Sequence, residues 1–183
     1  MAGRREFDGA KFKELVLLLA EESAARGDEG FGIVKLNKLL YRADFEAFRL
    51  LGQSITGATY ERQDYGPVAR ELPRALDQLG QAGYLTWQHV PAGPYTRDVP
   101  EAREGADRTL FPEGERQIIE TTLNELAPYG GKAVSRWSHE ESAGWRVNDN
   151  GDEITYESGL IDVEPLDADS LHLLREYVSG LTP

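Results

Sequence analysis

Residues 33–51 read IVKLNKLLYRADFEAFRLL. At ~3.6 residues per turn this stretch makes one helix of about five turns. Set at about 100° per residue, Ile33, Leu36, Leu39, Leu40, Ala43, Ala47, Leu50 and Leu51 fill one broad apolar arc. Val34, Tyr41, Phe45 and Phe48 fill a second arc beside it, and only Lys35, Lys38, Arg42, Glu46 and Arg49 make a polar strip. A helix that is apolar over most of its girth packs on several sides. The pattern therefore predicts a central helix with the remainder of the chain wrapped around it.

Asn37 and Asp44 interrupt the apolar arcs, seven residues apart and so on the same side two turns on. They either reach solvent along a seam or are buried and hydrogen-bonded. Burial is the preferred reading. It demands partners, because an unpaired buried amide or carboxylate costs on the order of a few kcal/mol. Asp44 then needs a donor from elsewhere in the chain, with Tyr60, Tyr65 and His139 as candidates.

The 183 residues suit one domain, 1–183, with a substantial core. Three Trp, eight Tyr and six Phe in a 40% hydrophobic chain make a globular composition. Cysteine is absent, which excludes disulfides, thiolate metal sites and cysteine nucleophiles and fits a cytoplasmic setting. The N-terminus MAGRREFDGAKFKELV lacks the apolar core of a signal peptide. The run LVLLLA, residues 15–20, is too short to span a bilayer. Twenty Lys plus Arg against 32 Asp plus Glu give a net charge of −12. That balance opposes general affinity for nucleic acid and suits a basic protein partner, or solubility alone.

Around the central helix the remaining elements follow in order. Asp8 caps a first helix running to about Arg26, with Phe12, Leu15, Val16 and Leu19 on its buried face. Residues 58–62 have strand composition, but the run is short and reads equally as a turn-rich extended segment. Gly66-Pro67 starts a third helix with Val68, Leu72, Ala75, Leu76 and Leu79 inward, and Pro73 predicts a kink or restart inside it. Residues 84–90 and 95–99 read as a hairpin turning at PAGP, Pro91 to Pro94. Residues 101–107 are polar and read as a loop, unless one arm of the hairpin extends into them. A helix from Pro112 carries Ile118, Ile119, Leu123 and Leu126. A short one from Lys132 to about Glu141 points Ala133, Val134 and Trp137 inward, and Gly144-Trp145 follows in a turn. Residues 146–170 hold eight acidic residues against one basic residue and read as solvated and loop-rich, with room for a short helical turn. A last helix is expected over about 168–179. The fold class is mainly α with a small β-element.

No chemistry-bearing motif emerges. His89, His139 and His172 lie in different elements without metal-ligand spacing. There is no phosphate-binding glycine loop and no GxSxG elbow. The reading is a non-enzyme without metal or cofactor. The compact cluster SHEESAGW, residues 138–145, is either a helix end, with Trp145 filling core space, or a partner pocket using His139 and Trp145. The order of two helices, a third helix and a hairpin resembles a winged-helix DNA reader. The third helix offers only Arg70 and Arg74 against Glu71 and Asp77, which is poor material for phosphate contacts.

Three linked blocks carry a more specific likeness: KLNKLLYRADF at 35–45, ITGATY at 55–60 and YGPV at 65–68, with SHEESAGW later in the chain. In this order and spacing they resemble the Panacea, or SocA-like antitoxin, domain. Two departures are Ser142-Ala143-Gly144 before Trp145, where the family more often has a proline beside the tryptophan, and Pro73 in the third helix. The resemblance implies a mostly helical domain with a small β-element. It also implies an antitoxin of a bacterial or phage toxin–antitoxin pair that neutralises a cognate toxin by direct contact. One member of the family instead delivers its toxin to a protease. The resemblance supplies no catalytic residues. Candidate partner contacts are Lys38, Arg42 and Arg49 on the polar strip and Tyr60, Tyr65 and Pro67 in the turns beside it. Alternatively, Tyr60 and Tyr65 pack on the central helix and support the fold. Asn37, Asp44, His139 and Trp145 are assigned to a structural polar core.

Overall fold

A computed structural model describes residues 5–161. Its organising element is α2, Ile33–Leu51, which touches α1 (Gly9–Ala25), α4 (Glu113–Leu126), α5 (Gly131–Glu141), β2 (Val68–Ala69) and β4 (Tyr95–Ala102). Twelve of its 19 residues are buried. The protein is mainly α: the described residues hold six α-helices and two small antiparallel sheets. Among the described residues no helix is long and apolar enough to cross a membrane.

Asp8 caps α1, its carboxylate accepting from the Lys11 amide at 3.0 Å. Two buried ion pairs tie the helices together. Lys11 Nζ lies 2.6 Å from Glu115 of α4, and Lys35 Nζ lies 2.6 Å from Asp28 in the loop before α2. The second pair corrects the polar strip expected on α2. Lys35 and Lys38 are buried at its N-terminal half because the Asp28 loop and the Gly66-Pro67 turn fold over them. Val34, Leu50 and Leu51, assigned to the apolar arcs, are exposed instead. They lie at the helix ends, beyond the neighbours that cover its middle. Gly52 stops α2 with φ of 75°, its amide donating to Phe48 O at 3.0 Å.

The chain then buries every residue from Ser54 to Tyr60 against α2. This segment leads into β1 (Tyr60–Glu61), the middle strand of a three-stranded antiparallel sheet in the order β2-β1-β5, where β5 is Glu153–Ile154. Tyr60 pairs with Ala69 on one side and Ile154 on the other. The third helix does not begin at Pro67. Val68 and Ala69 are taken by the sheet, and α3 spans Leu72–Gln81. Pro73 then falls in the first turn of α3, where a missing amide costs nothing, so no kink is needed.

Hairpin strands β3 (Leu85–Ala92) and β4 are longer than expected. Pro91 sits within β3 opposite Thr96, leaving a two-residue turn at Gly93-Pro94. Further corrections concern the C-terminal part. Ala133 faces solvent, while Val134 and Trp137 point inward. Gly144-Trp145 lies in a short helix, α6 (Ala143–Val147). The acidic stretch is not merely solvated loop, since Ile154 joins the sheet and Tyr156 enters the core. The helix expected over 168–179 lies outside the described residues.

Candidate functional site

The seam between α2 and the segment from Ser54 to Ala69 gathers most of the residues singled out from sequence, and it has two ends with different chemistry. At the C-terminal end Asp44 is fully buried. Oδ1 accepts from the Thr56 amide at 2.7 Å, and Oδ2 accepts from Thr56 Oγ1 at 2.5 Å and from the Tyr60 hydroxyl at 2.8 Å. Burial pushes the Asp44 carboxyl above the usual carboxylate range, and the donors pull against it. The Tyr60 phenol is pushed well up by burial and by the neighbouring Asp44 charge. Of the three candidate donors Tyr60 alone contributes. His139 is engaged elsewhere, and Tyr65 is 75% exposed. Thr56, which supplies two of the three donors, was not singled out from sequence.

Rings close this end. Tyr41, Phe45, Tyr60 and Tyr156 pack edge-on, tilted or stacked, with Tyr41 and Phe45 centroids 4.1 Å apart and Phe45 and Tyr156 4.7 Å apart. The Tyr156 hydroxyl donates to Ala58 O at 2.8 Å. Gly57 must be glycine here. Its φ is +74°, and a Cβ would lie 2.4 Å from Arg5 O.

At the N-terminal end Asn37 bridges α2 to β2, donating to Ile33 O at 3.0 Å and accepting from the Ala69 amide at 3.1 Å. Lys38 is also buried, but its ammonium meets only the Pro67 carbonyl, at 3.1 Å, and no carboxylate. Desolvation lowers its amine from the ordinary 10.5 to about 7. Gly66 presses on it from above. Beside Lys38, His139 stacks on Trp145 with centroids 3.6 Å apart and planes 6° apart. Burial, reinforced by Lys38 and Arg62, lowers the His139 imidazole below its usual value. Its Nε2 is buried without a hydrogen-bond partner. Trp145 Nε1 donates to Gln63 O at 2.7 Å. The Tyr41 hydroxyl, pushed up to about 12 by burial, is 2.7 Å from Ser142 Oγ, which also caps α6.

This geometry rearranges the candidate contacts. Lys38, Tyr60 and Pro67 are buried and present little surface to solvent. Arg42 is paired with Glu125 at 2.9 Å and Arg49 with Glu46 at 2.5 Å. Tyr65 remains displayed to solvent, so it does not pack on α2. Ser138 Oγ donates to Ser135 O, and no hydrogen bond joins it to His139 among the described residues. Among the described residues no three His, Asp or Glu side chains converge as a metal site. An open cleft of about 570 Å3, between the loop at Arg26–Gly30 and the turn at Ala127–Gly130, lies apart from this seam.

A model of the family described as antitoxin SocA-like, Panacea domain, matches residues 36–146, well over half of the chain. Neither the curated proteins nor the solved structures contain a match to it.

Proposed function

The chain belongs to the SocA-like antitoxin, Panacea-domain family, and on that premise we propose that it is an antitoxin that neutralises a cognate toxin by direct protein–protein binding in the cytoplasm. The observation that carries this reading is the family match from residue 36 to residue 146. It takes in most of α2, the buried segment before β1 and the helices α3 to α5. The interior supports it. The polar groups of the α2 seam fasten backbone segments to one another, which is the work of a rigid display scaffold. The full chain, 1–183, is read as one domain that acts as a binding protein and not as an enzyme.

The net charge of −12 favours a basic partner surface and speeds its association at low salt. The DNA-binding alternative draws less support. Arg70 is held by Glu61 at 2.5 Å, and the Arg97 side chain leans on Gly32.

Co-expression with the adjacent reading frame of the same operon tests the proposal. That frame alone is expected to stop growth. The present chain is expected to restore it while an intact complex of the two proteins is recovered. Restored growth with disappearing toxin and no complex would instead favour a protease-adaptor mode, and no restoration would reject the antitoxin reading.

A further inference from the structure

We propose that the loop Gln63–Gly66 together with α6 forms the contact face for the toxin, with Tyr65 and Val147 as apolar anchors inside an acidic rim that fits a basic partner surface. This inference rests on the antitoxin reading above and specifies where it is carried out.

Rigidity is the first support. The loop is lashed to the segment from Trp145 to Asp152. Trp145 Nε1 donates to Gln63 O at 2.7 Å, the Gly151 amide to Arg62 O at 2.8 Å, and the Arg62 amide to Asp152 O at 2.9 Å. The Arg62 guanidinium lies 4.6 Å from the Trp145 ring and donates to Asn150 Oδ1 at 3.3 Å. From below, Lys38 Nζ holds the Pro67 carbonyl, and Gly66, with φ of +102°, seats the turn on the Lys38 and Ser138 side chains. A Cβ at Gly66 would lie 2.9 Å from Lys38 Nζ, so the close seat requires glycine.

Exposure is the second. Tyr65 and Val147 are 75% and 79% exposed, the two largest values among the exposed large apolar side chains of the described residues. A backbone that is already ordered loses little further freedom on docking, and tyrosine is a preferred interface anchor.

Charge names the occupant. Asp64, with its side chain 76% exposed, adjoins Tyr65, and Asp149, Asp152 and Glu153 are exposed on the segment bound to the loop. Arg62 meets Trp145 and Asn150 and pairs with Asp64 at 3.5 Å, and Arg146 is the exposed cation of α6, so four carboxylates on this face stand against two guanidinium groups. Acidic surroundings repel a second copy of a chain carrying −12 and repel nucleic acid, whereas they attract a basic protein face.

The experiment measures the affinity of the purified full chain for the growth-arresting product of the adjacent frame, in wild type, Tyr65→Ala, Val147→Ala and the double variant. Tyr95→Ala serves as a control, since Tyr95 is also aromatic and exposed but lies on the hairpin. Each single change on the face is expected to weaken Kd by about tenfold, as for an interface anchor, and the double variant to lose growth rescue. All variants keep the wild-type melting temperature, and Tyr95→Ala keeps wild-type affinity. Wild-type Kd in the folded double variant, beside a wild-type chain that does rescue, would overturn the contact face while leaving the antitoxin reading intact. A wild-type chain that neither binds nor rescues would reject both.

Discussion

Asp44 and Lys38 stand six residues apart on one helix, both buried, and the fold treats them in opposite ways. Asp44 is met by three donors on two residues, Thr56 and Tyr60, so its burial fastens the segment from Ile55 to Tyr60 to α2. Lys38 is met by one carbonyl and no carboxylate, so its burial is left largely uncompensated. The contrast shows that a buried charge stabilises a fold only as far as its partners replace water. The first site is an anchor. The second costs stability and sits directly beneath the loop that displays Tyr65.

The sharpest way to break this contrast is Asp44→Ala. It strands two hydroxyls and an amide in the core and is expected to destabilise by about 3–5 kcal/mol, read from denaturant unfolding. A loss below about 1 kcal/mol would show that Asp44 is no anchor.

Lys38→Met should move the other way. Replacing a poorly compensated buried amine by an apolar side chain of similar length is expected to raise stability at pH 7 by about 1–3 kcal/mol. The pH dependence gives the signature. The lysine titrates near 10.5 in the unfolded chain and near 7 in the folded one. Between these values the unfolded chain binds more protons, so Lys38 makes wild-type stability climb as pH rises from about 7. Below about 7 both states are protonated and the cost is fully present. The Met variant lacks this slope, so the gap between the two proteins should narrow steadily up to about pH 10.5. Above about pH 10 the raised phenols of Tyr41 and Tyr60 lower stability in both proteins as pH rises, because the unfolded chain then loses protons more readily. A gap independent of pH would place the Lys38 ammonium in a better-satisfied site than the geometry shows.

Tyr60→Phe removes one of the three donors to Asp44 and should cost about 1–2 kcal/mol, less than removal of the carboxylate itself. The smallest effect belongs to Tyr65→Ala, expected within about 0.5 kcal/mol of wild type in stability because the ring is exposed. Its consequence should appear in binding.

The same contrast explains which parts were readable from residues alone. The central helix was readable because apolar side chains at helical spacing cover most of its circumference, a local property. The need of Asp44 for a donor followed from burial cost, and Tyr60 was among the candidates. Thr56 was not, because a threonine twelve residues away carries no mark of what it faces. Lys38 was misplaced for a tertiary reason. Periodicity sets it on a strip with Lys35, Arg42 and Arg49, and only the return of the chain at Gly66-Pro67 covers it. The start of α3 was misjudged for a similar reason, since Val68 and Ala69 are claimed by a sheet whose third strand comes from residues 153–154. The candidate contacts were the least legible. Lys38, Arg42 and Arg49 are candidates by their place on the helix wheel and Tyr60, Tyr65 and Pro67 by their place in turns, whereas the burial of Lys38, Tyr60 and Pro67 is set by how distant segments pack.

One measurement bears most directly on the functional account: calorimetric titration of the purified chain into the purified product of the adjacent growth-arresting frame, at low and at high salt. The account predicts saturable binding with a defined stoichiometry, weakened as salt screens the acidic chain from its basic partner. A folded chain that yields no binding at micromolar concentrations of both proteins, at either salt, would contradict it.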